Sequence, residues 1–372
     1  MALPSFLTTA GRALYFITSQ LKRDGRNPFR AAALPIIEEE IWVGTGRHRA
    51  RSLLYRPARS GTWPGAAVLD GVSKLGIDDP RLIHFARSAA ACGFVIVTVD
   101  LPDMRRYWLA LHDVKRIARA YRALRARPEV DPNNLGIVGF CFGASFTLLA
   151  AAELSAHEQV GWIAGYGGYF DFGDVIRYGV TGDYPPGSAY RVAPDPYVRK
   201  IYFYNHLHHF NLPPEQEETL RVALLHNLRS EEDQLEVSLE ALSPETRGVY
   251  RQIVTPNDPD SVDLFERARG EVPNDFTQFN VAPRLPRIRV GRVYLLHARD
   301  DAIIPSPETA RLAQALHGAG IAPIETHVTW LFAHVNPHDK VSFWRETLPG
   351  AWGLIRFALA AVRGRTTQAQ SS

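Results

Sequence analysis

Short apolar runs alternate with amphipathic segments along most of the chain, a pattern typical of strands followed by helices. The runs predict eight strands, at residues 36–43, 51–55, 66–69, 94–99, 135–138, 161–165, 290–296 and 324–330. The first two runs alternate apolar and polar positions, as antiparallel strands at a sheet edge do. Later runs, such as 94–99, are apolar throughout, as in parallel strands covered on both faces.

Apolar residues at helical spacing between these runs predict the connecting helices. They fall at about 80–91, 109–127, 144–153, 306–317 and 340–362. Pro349-Gly350 is expected to bend or split the last helix. The alternation of strands and helices predicts an α/β fold with a doubly wound, mostly parallel sheet.

The alternation stops between residues 171 and 286, where polar helical patterns such as 214–228 replace it. Because strand patterns resume afterwards, we expect a helical cap inserted into one continuing sheet. The expected organisation is an N-terminal helical extension at 1–32, a first part of the core at 33–170, the cap at 171–286, a second part of the core at 287–365 and a disordered tail at 366–372.

Residues 3–21 carry apolar side chains at helical spacing and precede a charged stretch at 22–26. Arg12 interrupts the apolar positions and no small-residue cleavage site follows, so we expect no signal peptide. No run reaches the roughly 18 apolar residues of a transmembrane helix. We expect a helix packed on the body of the protein, with a membrane-surface contact or a homo-oligomer contact as the alternative.

Composition narrows the functional classes. The 372 residues are 46% hydrophobic and 22% charged, as in a globular protein with an ample core. The net charge of +3 is small and the arginines are dispersed, so no nucleic-acid partner is expected. The two cysteines, Cys92 and Cys141, offer no disulfide framework, which predicts a reducing, cytoplasmic location.

The segment Gly139-Phe140-Cys141-Phe142-Gly143 directly follows the predicted strand 135–138 and leads into a predicted helix. Gly-x-Cys-x-Gly at such a junction is the cysteine form of a nucleophile elbow. So sharp a turn strains its central residue and needs glycines where side chains would clash. The helix N-terminus favours a thiolate. Cys141 is therefore the candidate nucleophile, and a buried cysteine in a tight joint is the alternative.

A nucleophilic cysteine needs a base, and an acid must orient that base. In the chain order typical of such elbows, the acid follows a late strand. Asp300 and Asp301 follow the run 290–296. Asp301 is our choice, because it lies four residues before Pro305, where a helix is expected to begin; Asp300 remains the alternative.

The base is expected in the loop after the last strand, which carries His334 and His338. His334 is our choice because it lies four residues past Trp330, where the strand ends. His338 would already enter the next helix. His327 falls in mid-strand and is expected to be structural.

An oxyanion hole needs two backbone N–H groups. One is expected from Phe142, directly after the nucleophile. The other is expected from the loop after the run 66–69, where Gly71 or Val72 is the candidate. Asp70 at the start of that loop is either a plain turn residue or a carboxylate that perturbs the thiol, and the sequence leaves both open.

Other candidate binding residues are less specific. Arg105 and Arg106 follow the strand 94–99 and could grip a substrate carboxylate, with plain surface arginines as an equal alternative. The histidines of segment 206–209 do not all share a helix face, so we expect no metal there. The cap carries apolar residues at helical or near-helical spacing: Tyr202, Phe203, Tyr204, Phe210, Leu220 and Leu224. We expect some of them to pack against the core and the others to line a pocket for a chain-like apolar acyl group.

Four motifs make the chain resemble the dienelactone hydrolase group of α/β hydrolases. They are the cysteine elbow, Val99-Asp100-Leu101 with an arginine close behind, Gly165-Tyr166-Gly167-Gly168, and Asp301-Ala302-Ile303-Ile304-Pro305 followed by His334. The resemblance covers about residues 60–170 and 288–360. It implies a Cys-His-Asp triad that hydrolyses esters or lactones without a cofactor. Ala144 replaces a second glycine of the group, Asp70 is only a loose counterpart of its acidic residue near the thiol, and the group has no large cap.

The chain also resembles the polyhydroxyalkanoate synthase group, which places a cysteine elbow beneath a cap. Here the elbow lacks that group's Gly-Gly ending. We therefore expect a hydrolase acting on a small-molecule ester, lactone or thioester through an acyl-thioester intermediate. The alternatives are an acyltransferase acting on acyl-thioesters and a catalytically inactive α/β hydrolase used for binding.

Overall fold

The structure is a computed structural model. It describes residues 3–21, 27–46, 49–154, 156–185, 188–255, 259–271, 277–330, 332–333 and 336–337. The predicted helix at 340–362, with Pro349-Gly350, and the predicted tail at 366–372 lie outside the described residues.

One eight-stranded sheet organises the chain. Its strands are β1 Ile36–Val43, β2 Ala50–Pro57, β3 Trp63–Leu69, β4 Val95–Val99, β5 Val130–Phe140, β6 Trp162–Tyr166, β7 Val293–Ala298 and β8 Ile324–Thr329. Their order is β1-β2-β4-β3-β5-β6-β7-β8. β2 pairs antiparallel with β1 and β4, and all other neighbours are parallel. The predicted doubly wound, mostly parallel sheet is confirmed.

The helices of the described residues are α1 Leu3–Leu21, α2 Pro80–Ala91, α3 Leu111–Arg125, α4 Phe142–Glu153, α5 Phe172–Thr181, α6 Pro196–Asn205, α7 Pro214–Arg229, α8 Glu232–Glu240, α9 Pro244–Val254, α10 Pro259–Glu271 and α11 Pro307–Gly318. Two short strands, β9 Phe332–Ala333 and β10 Asn336–Pro337, pair antiparallel. None of the helices in the described part of the chain is long and apolar enough to cross a membrane.

Several strand boundaries differ from the sequence prediction, among them the starts of β5 and β7. β5 begins at Val130 rather than at Leu135, because the polar residues 131–134 continue the strand and Val130 pairs with Trp63 of β3. β7 begins at Val293, and Val290 forms only an isolated bridge to Val160. In both places the polarity of the residues does not locate the start of the strand, because pairing with the neighbouring strand determines where it begins.

Apolar residues are buried on both faces of the sheet. β4 is buried along its whole length, and in α4 every residue from Phe142 to Ala152 is buried. A fully buried helix beside a fully buried strand fixes the strand–helix joint between β5 and α4 in the core. The register pairs Leu69 with Gly139 and Phe140 with Tyr166, so the carboxyl ends of β3, β5 and β6 meet at one edge.

Helices α5–α10 occupy the chain between β6 and β7. Arg199 of α6 is only 1% exposed and connects α5 with α9. Its guanidinium donates hydrogen bonds to the carbonyl of Val180 in α5 at 2.6 Å and to those of Ile253 and Gln252 in α9, both at 2.9 Å. Carbonyls at helix C-termini lack partners within their own helix and carry partial negative charge, so a buried cation stabilises both ends.

Candidate active site

Cys141 forms a strained turn between β5 and α4. Its backbone has φ 54° and ψ −132°, a conformation rarely adopted by residues with a side chain. A Cβ on Gly139 would lie 2.3 Å from the carbonyl oxygen of Gly143, and one on Gly143 would lie 2.2 Å from that of Asp70. Only glycine fits at both positions, which is the steric requirement expected of a nucleophile elbow.

The loop after β3 lies directly against the sulfur. A Cβ on Gly71 would approach the Cβ of Cys141 to 2.7 Å and its Sγ to 3.3 Å. The Cys141 N–H donates to the carbonyl of Tyr166 at 2.8 Å, which fixes the turn to the end of β6. Cys141 is 8% exposed, so a substrate must reach it through a defined opening.

The two candidate donors in that loop are not equivalent. The N–H of Gly71 donates to Oδ1 of Asp70 at 2.8 Å and is therefore engaged. This favours Val72 as the second oxyanion donor. Phe142 is the first residue of α4, so its N–H has no acceptor within the helix.

The carboxyl group of Asp70 is buried beside this loop. Its Oδ2 is inaccessible to solvent and has no hydrogen-bond partner among the described residues. Burial raises the pKa of Asp70 to about 6, against the opposing effect of the Gly71 N–H. Of the two interpretations left open by the sequence, the structure supports a turn residue, because the Asp70 carboxylate holds the N–H of Gly71 in the loop.

Asp301 follows β7 and is fully buried. Its Oδ1 accepts the N–H groups of Ile303 at 2.9 Å and Ile304 at 3.0 Å, which fix the carboxylate in one orientation. Asp300 is partly exposed. Burial raises the pKa of Tyr166 well above its usual range, and the negative charges of Asp301 and Asp300 add to that effect. Both carboxylates therefore lie near the β6 residue that holds the Cys141 turn.

His297 in β7 is a residue that the sequence reasoning missed. Its Nε2 lies 3.2 Å from Oδ2 of Asp301 and 2.9 Å from the carbonyl oxygen of Ile304. Because a carbonyl only accepts, Nε2 carries a hydrogen, and Nδ1 lies within hydrogen-bond distance of the Thr309 hydroxyl, at 2.6 Å. His297 is fully buried and supports the acid. Its signal in the sequence was a histidine in an apolar run four residues before an aspartate.

The candidate base His334 and its alternative His338 lie outside the described residues. His327 lies in β8 as expected, where burial lowers its pKa. It pairs in register with Leu296 of β7. The structure thus brings Cys141, Asp301 and the two oxyanion candidates to one edge of the sheet, and the assignment of the base stays a prediction.

An apolar cavity of about 730 Å³, its open mouth included, reaches this edge. Val72 and Phe142 form one part of its wall. The rest comes from the stretch after β4, from α5 and α6 and from the residues before β7: Tyr107, Trp108, Leu109, Phe172, Ile176, Val198, Ile201, Tyr202, Asn205, His206, Gln278 and Phe279. Phe203, Leu220 and Leu224 are fully buried, whereas Tyr202 faces the cavity.

Arg105 and Arg106 lie in a short turn at the carboxyl end of β4. Nη1 of Arg105 is 3.3 Å from Oδ2 of Asp100, and Arg106 is exposed. Neither is among the described residues that line the cavity. The guanidinium of Arg105 is thus partly committed to a carboxylate of the protein itself.

Two polar clusters of the described residues are engaged by groups of the protein itself. His206 donates from Nδ1 to the carbonyl of Tyr202 at 2.7 Å and stacks on its ring, as a structural histidine does. Among the described residues, Asp103, His112 and Asp113 have the spacing of a metal site. The guanidinium of Arg116 already contacts both carboxylates there, so a cation is in place.

Comparisons with known proteins give a partial family resemblance. The dienelactone hydrolase family model matches residues 103–170, which include the elbow. This part of the chain is therefore similar to the dienelactone hydrolase family. A Bradyrhizobium protein described as a probable 2-oxo-3-(5-oxofuran-2-ylidene)propanoate lactonase is 27% identical over 138 residues, 32% of this chain. The chain spans about half of that relative, 54% of its length.

Solved structures show the same fold at low identity. A bacterial brefeldin A esterase matches with a TM-score of 0.50 and 16% identity, covering 98% of this chain and 87% of its own. Dipeptidyl peptidase 4 of Porphyromonas gingivalis matches with a TM-score of 0.51 and 12% identity, covering 91% of this chain and 38% of its own. These likenesses concern the fold alone.

Proposed function

We propose that this dienelactone hydrolase-like chain hydrolyses a carboxylic ester, lactone or thioester through Cys141. The observation that carries the proposal is the strained Cys141 turn at the N-terminus of α4, with the β3 loop against its sulfur. A residue with a reactive side chain and a positive φ, a conformation that glycine adopts without strain, is expected at a catalytic turn.

The reaction proceeds in two halves. His334 takes the thiol proton of Cys141, and the thiolate adds to the substrate carbonyl. The tetrahedral oxyanion accepts hydrogen bonds from the N–H groups of Phe142 and Val72. The C–O bond, or C–S bond of a thioester, then breaks, and His334 protonates the leaving group. Water, deprotonated by His334, cleaves the acyl-thioester and regenerates the thiol.

Asp301 is the acid that orients His334 in this proposal. Its Oδ1 accepts two backbone hydrogen bonds, which fix the orientation of the carboxylate. The Nε2 atom of His297 lies 3.2 Å from the other carboxylate oxygen, Oδ2. A buried carboxylate fixed in this way stabilises the imidazolium that forms on the base.

The cavity supports an apolar, chain-like acyl group as the substrate class. Its wall includes Val72 and Phe142, and Phe142 directly follows Cys141 in the chain, so an acyl chain lying in the cavity would lie beside the proposed oxyanion hole. Helices α5 and α6 supply much of the wall, in keeping with the expected cap at 171–286. A small carboxylate-bearing substrate held by Arg105 and Arg106 is the second candidate, since both lie at the carboxyl end of β4.

Turnover of p-nitrophenyl butyrate by the purified protein tests the proposal. We expect Cys141→Ala and His334→Ala each to lower kcat by several orders of magnitude without loss of folding. Triad members act as a unit, so the double variant should be little worse than either single one. Asp301→Asn should cost less than either, and Asp300→Asn should cost least.

Each outcome is informative. Full activity in Cys141→Ala would reject the cysteine mechanism. A larger loss in Asp300→Asn than in Asp301→Asn would move the acid to Asp300. Release of p-nitrophenol that requires an added alcohol or thiol acceptor would identify an acyltransferase instead of a hydrolase.

A further inference from the structure

Residues 190–197, which lead into α6, contact two loops at the carboxyl edge of the sheet. The hydroxyl of Tyr190 donates to the carbonyl of Asp301 at 2.5 Å, and the N–H of Asp195 donates to that of Ala302 at 2.8 Å. The hydroxyl of Tyr197 donates to the carbonyl of Val72 at 2.8 Å. We call residues 190–197 the bridging segment, because they join the loop bearing the acid to the loop of the oxyanion hole.

Tyr197 is itself held firmly. The side chain of Asp195 caps α6 by accepting the N–H of Tyr197 at 2.8 Å, and the ring packs edge-to-face on Tyr107 with centroids 6.2 Å apart. Burial raises the pKa of Tyr197 well above its usual range, and the neighbouring Tyr107, Cys141 and Asp70 add to that effect while Arg81 opposes it. The hydroxyl therefore stays a hydrogen-bond donor at any working pH.

Two hydrogen bonds constrain the loop after β3, one before and one after the N–H of Val72 along the chain. Asp70 holds the N–H of Gly71, and Tyr197 holds the carbonyl of Val72. The Val72 N–H lies between these two fixed points. Donors that are oriented before the substrate arrives need no reorganisation during the reaction, which is the main source of oxyanion stabilisation.

We propose that Tyr197 is a positioning residue for catalysis, which aligns the Val72 N–H with the developing oxyanion by holding the Val72 carbonyl. The inference rests on the proposed function. It adds a residue of α6 to the groups that shape the proposed oxyanion hole.

Tyr197→Phe tests this with p-nitrophenyl butyrate. Tyr250→Phe is the control, since Tyr250 is a buried tyrosine of the helices between β6 and β7 and its hydroxyl accepts a hydrogen bond from Asn227 at 2.8 Å. We expect kcat to fall about tenfold in Tyr197→Phe with little change in KM, less than the 10²–10³ of losing a donor outright. Tyr250→Phe should retain wild-type kcat.

Alkylation separates positioning from a merely structural role. Iodoacetamide consumes the Cys141 thiolate without forming an oxyanion, whereas acylation by the ester forms one. We expect Tyr197→Phe to slow the acylation burst about tenfold and to leave the alkylation rate unchanged. Equal slowing of both would overturn the inference, as would a kcat equal to that of Tyr250→Phe. Absence of ester turnover in the wild-type protein would reject the proposed function itself.

Discussion

The backbone at Cys141 is strained because this residue forms the sharp turn between β5 and α4. A positive φ in a residue with a side chain costs about 1–3 kcal/mol, and the buried helix α4 on one side and β5 on the other keep it in place. The sulfur then lies at the N-terminus of α4, next to Gly71 in the loop after β3. Cys92, by contrast, follows α2, and its Sγ donates to the carbonyl of Arg12 at 3.2 Å.

This difference predicts selective labelling of the two thiols. Burial raises the pKa of Cys92 to about 12, so its thiolate is scarce below that pH. We expect iodoacetamide to alkylate Cys141 at pH values where Cys92 stays unmodified, and mass spectrometry of tryptic peptides between about pH 5 and 9 measures both rates. The Cys92→Ala and Cys141→Ala variants identify each peptide. Equal labelling of both cysteines across this range would contradict an activated nucleophile.

The candidate site residues that the sequence indicates are those whose signal is local. The glycines at 139 and 143 flank Cys141 within a few positions, and Asp301 stands in a short motif ending at Pro305. Tyr197 bonds Val72 across 125 positions of sequence, and no local pattern marks such a contact. His297 was hidden for a different reason, because a lone histidine in a strand is typical of a structural role.

At the scale of the elements, inner strands such as β4 were predictable because their runs are continuous and buried. β1 and α2 also have the predicted limits: β1 lies between Pro35 and Gly44, and α2 begins after Asp79, which caps it. β5 did not, because pairing extends it through polar residues. The mutual packing of α5–α10 was not predictable, since it depends on contacts such as those of Arg199 between helices far apart in sequence.

Arg199 carries a prediction about that packing. In Arg199→Met three carbonyls at the ends of α5 and α9 lose their donor, and we expect the free energy of unfolding to fall by about 2–3 kcal/mol. Urea denaturation followed by circular dichroism measures the change. Arg251→Met, an exposed substitution in α9, is the control and should change stability by less than about 0.5 kcal/mol. Equal stabilities of the two variants would show that the buried guanidinium does not hold these helices together.

At the scale of the whole molecule, the cavity combines residues of the core that precede the helical stretch with residues of that stretch itself. Its wall combines the β3 loop, the start of α4, the residues after β4, and helices α5 and α6. The fold places these parts together because parallel strands end at one edge, where ligands bind in open α/β sheets. The family model matches residues 103–170 only, so the residues of the cavity wall are the better guide to the substrate.

The wall predicts how the rate depends on acyl length. Each methylene buried in it should add about 0.8 kcal/mol, roughly fourfold in kcat/KM, until the cavity is full. We expect kcat/KM for p-nitrophenyl esters to rise from the acetate through longer chains. Ile201→Trp, which fills part of the cavity, should shift the optimum to shorter chains, whereas Val222→Trp on the exposed face of α7 should not.

The competing substrate class makes the opposite forecast on the same assay. If Arg105 and Arg106 grip a carboxylate, a carboxylated lactone should be the fastest substrate and the ester series should decline from the acetate onward. Arg105→Ala with Arg106→Ala should then abolish lactone turnover and spare the esters. Arg105 is already paired with Asp100 at 3.3 Å, and a side chain committed to a protein carboxylate has less charge to offer a ligand. For this reason we expect the ester series to rise and the arginine variants to leave it unchanged.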